Sequence, residues 1–520
     1  MRATSSATRG ALVVAVSALG LALRLYRLGH DPLWFDEAYT ALTAQRPIGD
    51  ILHLLQSEAN APLYYLLLHA WAAAVGGDTD GRLRLLSALT GAAVVPELYV
   101  VGAAMFTPAA GLVAATLGAV GPLHVHYSQE LRMYGLVPLV ALATLYGFDR
   151  LARRPDLRGT VVLAGALTAG LYLQYFFLFL IPLALAAVSS PAPGRALAHT
   201  LAALALAGVA FLPWATTLTA QAGPNHVLDW IPAWWAHDRS LWTAVPWSLA
   251  VLGPAAFYPP SWFKLRSSTL GGVLSLAIAL AVIGAAAIRI ARGRERAMRR
   301  ALLLTVAAVL LPLVSAFAVS LVRAPIYVVA RYDMIAWGPY CLLVGAVVAH
   351  LPTRLAVPAV ALWIGLAAST LVPYFTNDRP ILAVANYGHV LADKLGRRAQ
   401  TGDLVIFTAS TRPTTEWYLG TWGRRLRMVS HPLGTDDHLG WIDLRIARDP
   451  GFAEDAARRM GAWIGALPTS PARVWLIEPS TPGSAPLIAT LEGLGYSVDP
   501  SRSDDDVVGF RRVPPETAAP

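Results

Sequence analysis

Trp34-Phe35-Asp36-Glu37-Ala38-Tyr39 follows directly on the first hydrophobic segment of the chain, and Tyr127-Ser128-Gln129-Glu130-Leu131-Arg132-Met133-Tyr134 brings the same mixture of acids and aromatic rings back. A carboxylate at a membrane boundary is costly to remove from water, so an acidic pair there marks function by default. In a chain that otherwise avoids charge, these two stretches are where chemistry is expected.

Their surroundings set the class. Of 520 residues, 56% are hydrophobic and 14% charged, and the mean hydropathy is +0.51. Soluble domains carry about 25% charged residues, so the composition describes a polytopic α-helical membrane protein. The net charge of +9 does not describe a nucleic-acid groove: residues 1–373 carry 25 Lys+Arg against 15 Asp+Glu, and residues 374–520 carry 16 against 17. Much of the excess sits in two short loops, Arg150 to Arg158 and Arg292 to Arg300, which is the positive-inside pattern. The single cysteine, Cys341, lies in an apolar run and excludes an intrachain disulfide and a cysteine zinc cluster.

The two basic loops fix the expected topology. Four spans lie between them, near 159–173, 175–190, 199–218 and 270–290, so both loops face the cytoplasm. Counting backward, spans near 131–149, 108–124 and 84–105 place Glu130 outside. Counting forward, spans near 301–321, 336–350 and 355–373 return the chain to the outside. With Ala11 to Leu23 as an uncleaved first helix rather than a signal peptide, the total is about eleven. Pro62 to Gly76 is shorter than the roughly 20 residues a span needs. Its Tyr64, Tyr65, His69 and Trp71 suit an interface, which leaves Asp36 and Glu130 on one side. Arg24 and Arg27, at the outer end of the first helix, oppose the charge trend; either they snorkel or they meet an anionic ligand.

The expected domains are a transmembrane domain over 1–373, with outer loops 28–83 and 219–268, and a small extracytoplasmic α/β domain over 374–520. The second loop carries Trp230, Trp234, Trp235, Trp242, Trp247 and Trp262, a composition for a headgroup surface. In the C-terminal domain, Asp403 to Phe407, Val474 to Ile477 and Val507 to Phe510 read as strands; Val390 to Arg398 and Ala456 to Ile464 read as helices.

Leu33-Trp34-Phe35-Asp36-Glu37 after a first helix, then Asn60-Ala61-Pro62-Leu63-Tyr64-Tyr65-Leu66-Leu67-Leu68-His69, then Tyr127 to Tyr134, is an order of motifs that resembles the GT-C glycosyltransferases of the family 39 type. These are relatives of protein O-mannosyltransferases and of bacterial lipid A aminoarabinose transferases. The resemblance covers residues 10–350 and extends to Arg331-Tyr332 before a proline-bearing helix. It departs from the family at Asn60-Ala61-Pro62, where His-Pro-Pro is common.

The resemblance implies a GT-C fold and transfer of a pentose or hexose, with inversion, from a polyprenyl-phosphate carrier to an acceptor hydroxyl. The expected place is the outer face of a bacterial cytoplasmic membrane, and the acceptor is a glycan, a lipid or a protein. A hydroxyl needs a carboxylate to begin taking its proton, and Asp36 is the candidate base. The leaving phosphate needs a cation; Arg331 is the first candidate, its guanidinium forming a two-point fork, with Tyr332, Arg132 and Tyr134 beside it. Glu37 and Glu130 either orient the acceptor, tune Asp36, or hold a divalent cation with it, a metal the sequence does not require. Tyr64, Tyr65, Lys264 and Arg323 are weaker substrate-binding candidates.

Each of these has a structural rival. Asp36 and Glu37 suit the start of a helix, Glu130 suits an ion pair with Arg132, and Arg331 suits an interfacial anchor. His124 and His126 have the look of a metal pair with no third ligand in sequence. A lipid-linked sugar flippase is the alternative function, since it too needs many spans and a phosphate-binding arginine.

Overall fold

Hydrocarbon offers a backbone no water to bond, so apolar runs fold as helices whose amides are satisfied internally. In this computed structural model, which describes residues 6–56, 58, 60–221, 231–232, 235, 240–255, 269–323, 325–376, 381–408, 411–434, 446, 449–481 and 483–513, seven helices are long and apolar enough to cross a membrane. They are Ala7–Leu25, Asp80–Met105, Met133–Arg153, Pro193–Thr217, Leu270–Arg292, Arg296–Val322 and Thr353–Thr376. An eighth is a broken pair, Pro108–Ala119 and Pro122–Ser128, bent by 61°. The break falls at Gly121, where a Cβ would stand 2.6 Å from the Trp337 ring, and Pro122 then starts the second piece.

The other expected spans are shorter helices, Leu157–Leu173, Tyr175–Ser189 and Met334–Val348. Tyr175–Ser189 is a 3₁₀ helix of 15 residues. At about 2 Å per residue it covers about 30 Å, the thickness of the hydrocarbon, where an α-helix of that length would cover about 22 Å. Leu63–Val75 has 13 residues and covers about 20 Å, which is short of a crossing.

The contacts divide the chain into two units: Met1–Asp31 with Pro47–Arg379, and Pro32–Arg46 with Pro380–Pro520. This differs from a division at 373/374 with 28–83 as a loop of the first domain. Residues 32–46 join the second unit because Leu33 N–H donates to the Tyr418 hydroxyl at 2.6 Å and the helix Phe35–Ala44 packs on the helix Arg412–Gly423.

The second unit is an α/β fold on five strands, β1 (Leu404–Phe407), β2 (Arg427–Ser430), β3 (Arg473–Ile477), β4 (Tyr496–Val498) and β5 (Val507–Arg512), in the order β2-β1-β3-β5-β4. β1 runs parallel to β2 and β3; β5 is antiparallel to β3 and to β4. β1, and β3 after Arg473, are apolar because both faces of the sheet are covered. Leu404, Ile406, Val474 and Leu476 meet Met460 and Ile464 of the helix Pro450–Gly465 and Leu487 and Leu491 of Ser484–Gly493. Val405, Phe407, Trp475 and Ile477 meet Leu391 and Leu395 of Ile381–Arg398 and Leu419 of Arg412–Gly423.

Candidate functional site

In the first unit the site is built around a break in helix, residues 129–132, between Pro122–Ser128 and Met133–Arg153. After the broken pair ends at Ser128, every residue from Tyr127 to Pro138 is buried, so each polar group in this turn needs a partner inside the protein. Arg132 N–H donates to Glu130 O at 2.8 Å, and Leu136 N–H to Met133 O at 2.9 Å. The Ser87 hydroxyl donates to Arg132 O at 3.3 Å. Gln129 spends its amide on the end of the first helix, donating to Arg24 O at 3.1 Å and Tyr26 O at 2.7 Å, and accepting from Tyr374 Oη at 2.9 Å.

Arg24 is neither snorkelling nor presented to a ligand, which corrects both readings of it. It is fully buried, and its guanidinium donates to Ser128 Oγ, Gly20 O, Ala119 O, Gly118 O and His124 Nδ1, all between 2.7 and 3.2 Å. A guanidinium only donates, so His124 Nδ1 accepts, and its proton sits on Nε2, which donates to Gly135 O at 3.0 Å. Both ring nitrogens of His124 are used, and no metal ligand is left there. The clamp ties the first helix to the broken span and the turn after it. Arg27 turns elsewhere, donating to Phe375 O at 2.7 Å.

The second and third motifs lock together. Arg132 donates to Tyr65 Oη and to Asn60 Oδ1, each at 3.1 Å, and stands 5.9 Å from the Tyr134 ring centre. The Tyr64 hydroxyl meets Ser87 Oγ at 2.6 Å. Asn60 therefore has a defined partner. Tyr127, fully buried, stacks obliquely on Tyr134 at 4.8 Å. Electrostatic interactions link its hydroxyl with Glu130, Arg331, Tyr134 and Asp333. One cluster thus gathers Glu130, Arg132, Tyr134, Tyr64, Tyr65 and Arg331, although they come from distant parts of the chain.

Arg331, 7% exposed, sits in a turn that opens the helix Met334–Val348. Ala330 before it has φ 66, a left-handed conformation that costs an alanine about 1–2 kcal/mol. The Asp333 carboxylate accepts the Ala330 N–H at 3.0 Å and holds the turn. Asp333 and Tyr127 are additions to the sequence candidates; only the spacing Arg331-Tyr332-Asp333 before a helix hinted at the first. The Tyr332 ring packs edge-on against Phe176 at 5.1 Å. Arg323 is exposed at the end of Arg296–Val322, and Lys264 falls outside the described residues.

In the second unit, Asp36 and Glu37 open the helix Phe35–Ala44. Glu37 is buried and reaches back to accept from Trp34 N–H at 3.4 Å, a capping contact. Asp36 is only half-buried, and its backbone carbonyl accepts from Thr40 Oγ1 at 2.7 Å. Among the described residues no group of three or more His, Cys, Asp or Glu stands ready to hold a metal ion.

The fold these units make is the GT-C fold of membrane glycosyltransferases. The chain is similar over 99% of its length, and over 100% of the other chain, to ArnT from Cupriavidus metallidurans bound to undecaprenyl phosphate, with 12% identity and a TM-score of 0.59. It is similar over 96% of its length to the arabinofuranosyltransferase AftD from Mycobacteria, of which it covers 39%, with 14% identity and a TM-score of 0.53. An Archaeoglobus fulgidus oligosaccharyltransferase tethered to an acceptor peptide is matched over 99% of this chain and 75% of that one, at 12% identity and a TM-score of 0.50. No family profile matches the sequence, and no curated protein does.

Proposed function

We propose that the protein transfers a sugar from a polyprenyl-phosphate carrier to an acceptor hydroxyl, with inversion, at the outer face of a bacterial cytoplasmic membrane. The observation that carries the reading is the buried cluster of Glu130, Arg132, Tyr127 and Arg331, in a chain whose fold follows, end to end, that of a protein seen with undecaprenyl phosphate. The acceptor oxygen attacks the anomeric carbon, its proton passes to the Asp36 carboxylate, and the bond from that carbon to the phosphate oxygen breaks. The charge that builds on the leaving phosphate is met by Arg331. Arg132, held by Tyr65 and Asn60, shapes the wall of the cluster, and Glu130 orients what enters it.

The test is steady-state kinetics with donor and acceptor varied separately in folded, detergent-solubilised protein. Arg331→Ala is expected to raise the donor KM and lower kcat, Arg331→Lys to recover part of the activity because it keeps the charge without the fork, and acceptor KM to stay unchanged. Donor kinetics that survive Arg331→Ala would remove the phosphate role from this residue. Movement of the lipid-linked sugar across a bilayer with its bond intact would replace the transferase by a flippase.

A further inference from the structure

The second unit carries a groove that the transfer reaction as described does not use. It has a volume of about 250 Å3 and lies between the helices Ile381–Arg398 and Arg412–Gly423. His389, Asp393, Gly396 and Arg397 line it from the first helix, Tyr418 and Trp422 from the second.

Three features shape this surface. The rings are held: Tyr418 and Trp422 pack against the core of Leu391, Leu395 and Leu419, and the Tyr418 hydroxyl is fixed by Leu33 N–H at 2.6 Å. Gly420, at φ 55 and ψ −135, breaks the helix between them, a conformation only glycine adopts cheaply. Gly396 then keeps the floor open. A glycine inside a helix costs about 1 kcal/mol against alanine, and a Cβ at this one would touch nothing within 4 Å, so packing does not ask for it.

The chemistry of the lining selects the ligand. Aromatic faces pack on the C–H face of a sugar ring, while a carboxylate and a guanidinium accept from and donate to its hydroxyls. Asp393 and Arg397 pair at 2.5 Å, so the groove has no spare charge and suits a neutral ligand; a phosphate would call for unpaired cations. We infer that this groove binds a neutral saccharide. Resting on the transferase reading, that saccharide is the acceptor glycan, because Tyr418 is bonded to Leu33, three residues before the proposed base Asp36.

The experiment is saturation-transfer NMR on the full chain, in a detergent without a sugar headgroup, with neutral trisaccharides of mannose, of arabinofuranose and of glucose. At least one is expected to bind, and Trp422→Ala and Gly396→Leu are each expected to weaken it about tenfold. Gly396→Leu adds a side chain in open space and leaves the fold intact if the ring truncation does not. In transfer assays the same variants are expected to raise acceptor KM about tenfold with kcat and donor KM unchanged. Binding that is sensitive to both variants in a protein without transfer activity would keep the groove and remove the transferase. Transfer with acceptor KM unchanged in both variants, or no binding of any trisaccharide to the unaltered protein, would overturn the groove.

Discussion

Trp34 to Tyr39 and Tyr127 to Tyr134 draw on the same few residue types and solve different problems. The first begins a helix: Glu37 is turned back on the Trp34 amide and Asp36 is left half-buried. The second is a buried turn in which backbone and side chains are answered by residues from other segments, Ser87, Tyr65 and Asn60 among them. At a helix start the amides themselves support a carboxylate, which suits the proton transfer proposed for Asp36. In a dry turn the same acid must be balanced by neighbours, which suits the positioning proposed for Glu130. The contrast is open to attack by substitution.

The largest effect is expected at Asp36. Asp36→Asn keeps the volume and cannot take a proton, so transfer should fall by about 10²- to 10⁴-fold with thermal stability unchanged. Turnover close to normal would move the base to Glu130 and reverse the assignment of roles.

Arg24→Met tests the dry side. Leaving five acceptors without their buried donor should destabilise the helical unit, by about 1–3 kcal/mol for each acceptor left unsatisfied, seen as a loss of thermal stability in detergent with donor KM preserved in whatever remains folded. A raised donor KM with stability intact would make Arg24 an anion ligand after all.

The second unit should respond to pH where the first motif resides. His431 is buried, neither ring nitrogen has a hydrogen-bond partner among the described residues, and burial pulls its pKa from 6.5 to about 4. Between those values the unfolded chain takes up a proton that the folded one refuses. Stability therefore falls as pH drops through that window, by about 3 kcal/mol in all, and levels off below it. Proteolysis within residues 381–513 across this range would report it, and His431→Asn should remove the slope.

The smallest effect is expected at Glu37. Glu37→Gln retains an acceptor for the Trp34 amide and should cost about 1 kcal/mol or less, with turnover changed only a few-fold. A loss as deep as that of Asp36→Asn would place Glu37 in the chemistry and erase the distinction between cap and base.

The helical unit was legible because a bilayer demands long apolar runs, and those runs are continuous in the chain. The 3₁₀ form of Tyr175–Ser189 was not, since composition carries no mark of rise per residue. β1, β3 and β5 were legible as apolar runs. β2, Arg427-Met428-Val429-Ser430, and β4, of three residues, were too short and too polar to stand out. Arg24 announced itself as anomalous, but its partners lie about a hundred residues on, and a single sequence does not pair them. The allegiance of residues 32–46 rests on contacts such as Leu33 with Tyr418, 385 positions apart, which hydropathy does not register.

The Arg24 clamp also leads to an expectation for events at the ribosome. Four of its five acceptors are synthesised 94 to 104 residues after it. Until then the first helix carries an arginine in its last turn with only the Gly20 carbonyl to hold, at a cost below the roughly 3 kcal/mol of a central position. Its stable seating in the membrane is then expected to depend on the arrival of the broken span. Nascent chains stopped after Met105 are expected to lose this segment on alkaline extraction, and chains stopped after Arg153 to retain it; equal retention at both lengths would mean that the helix inserts unaided.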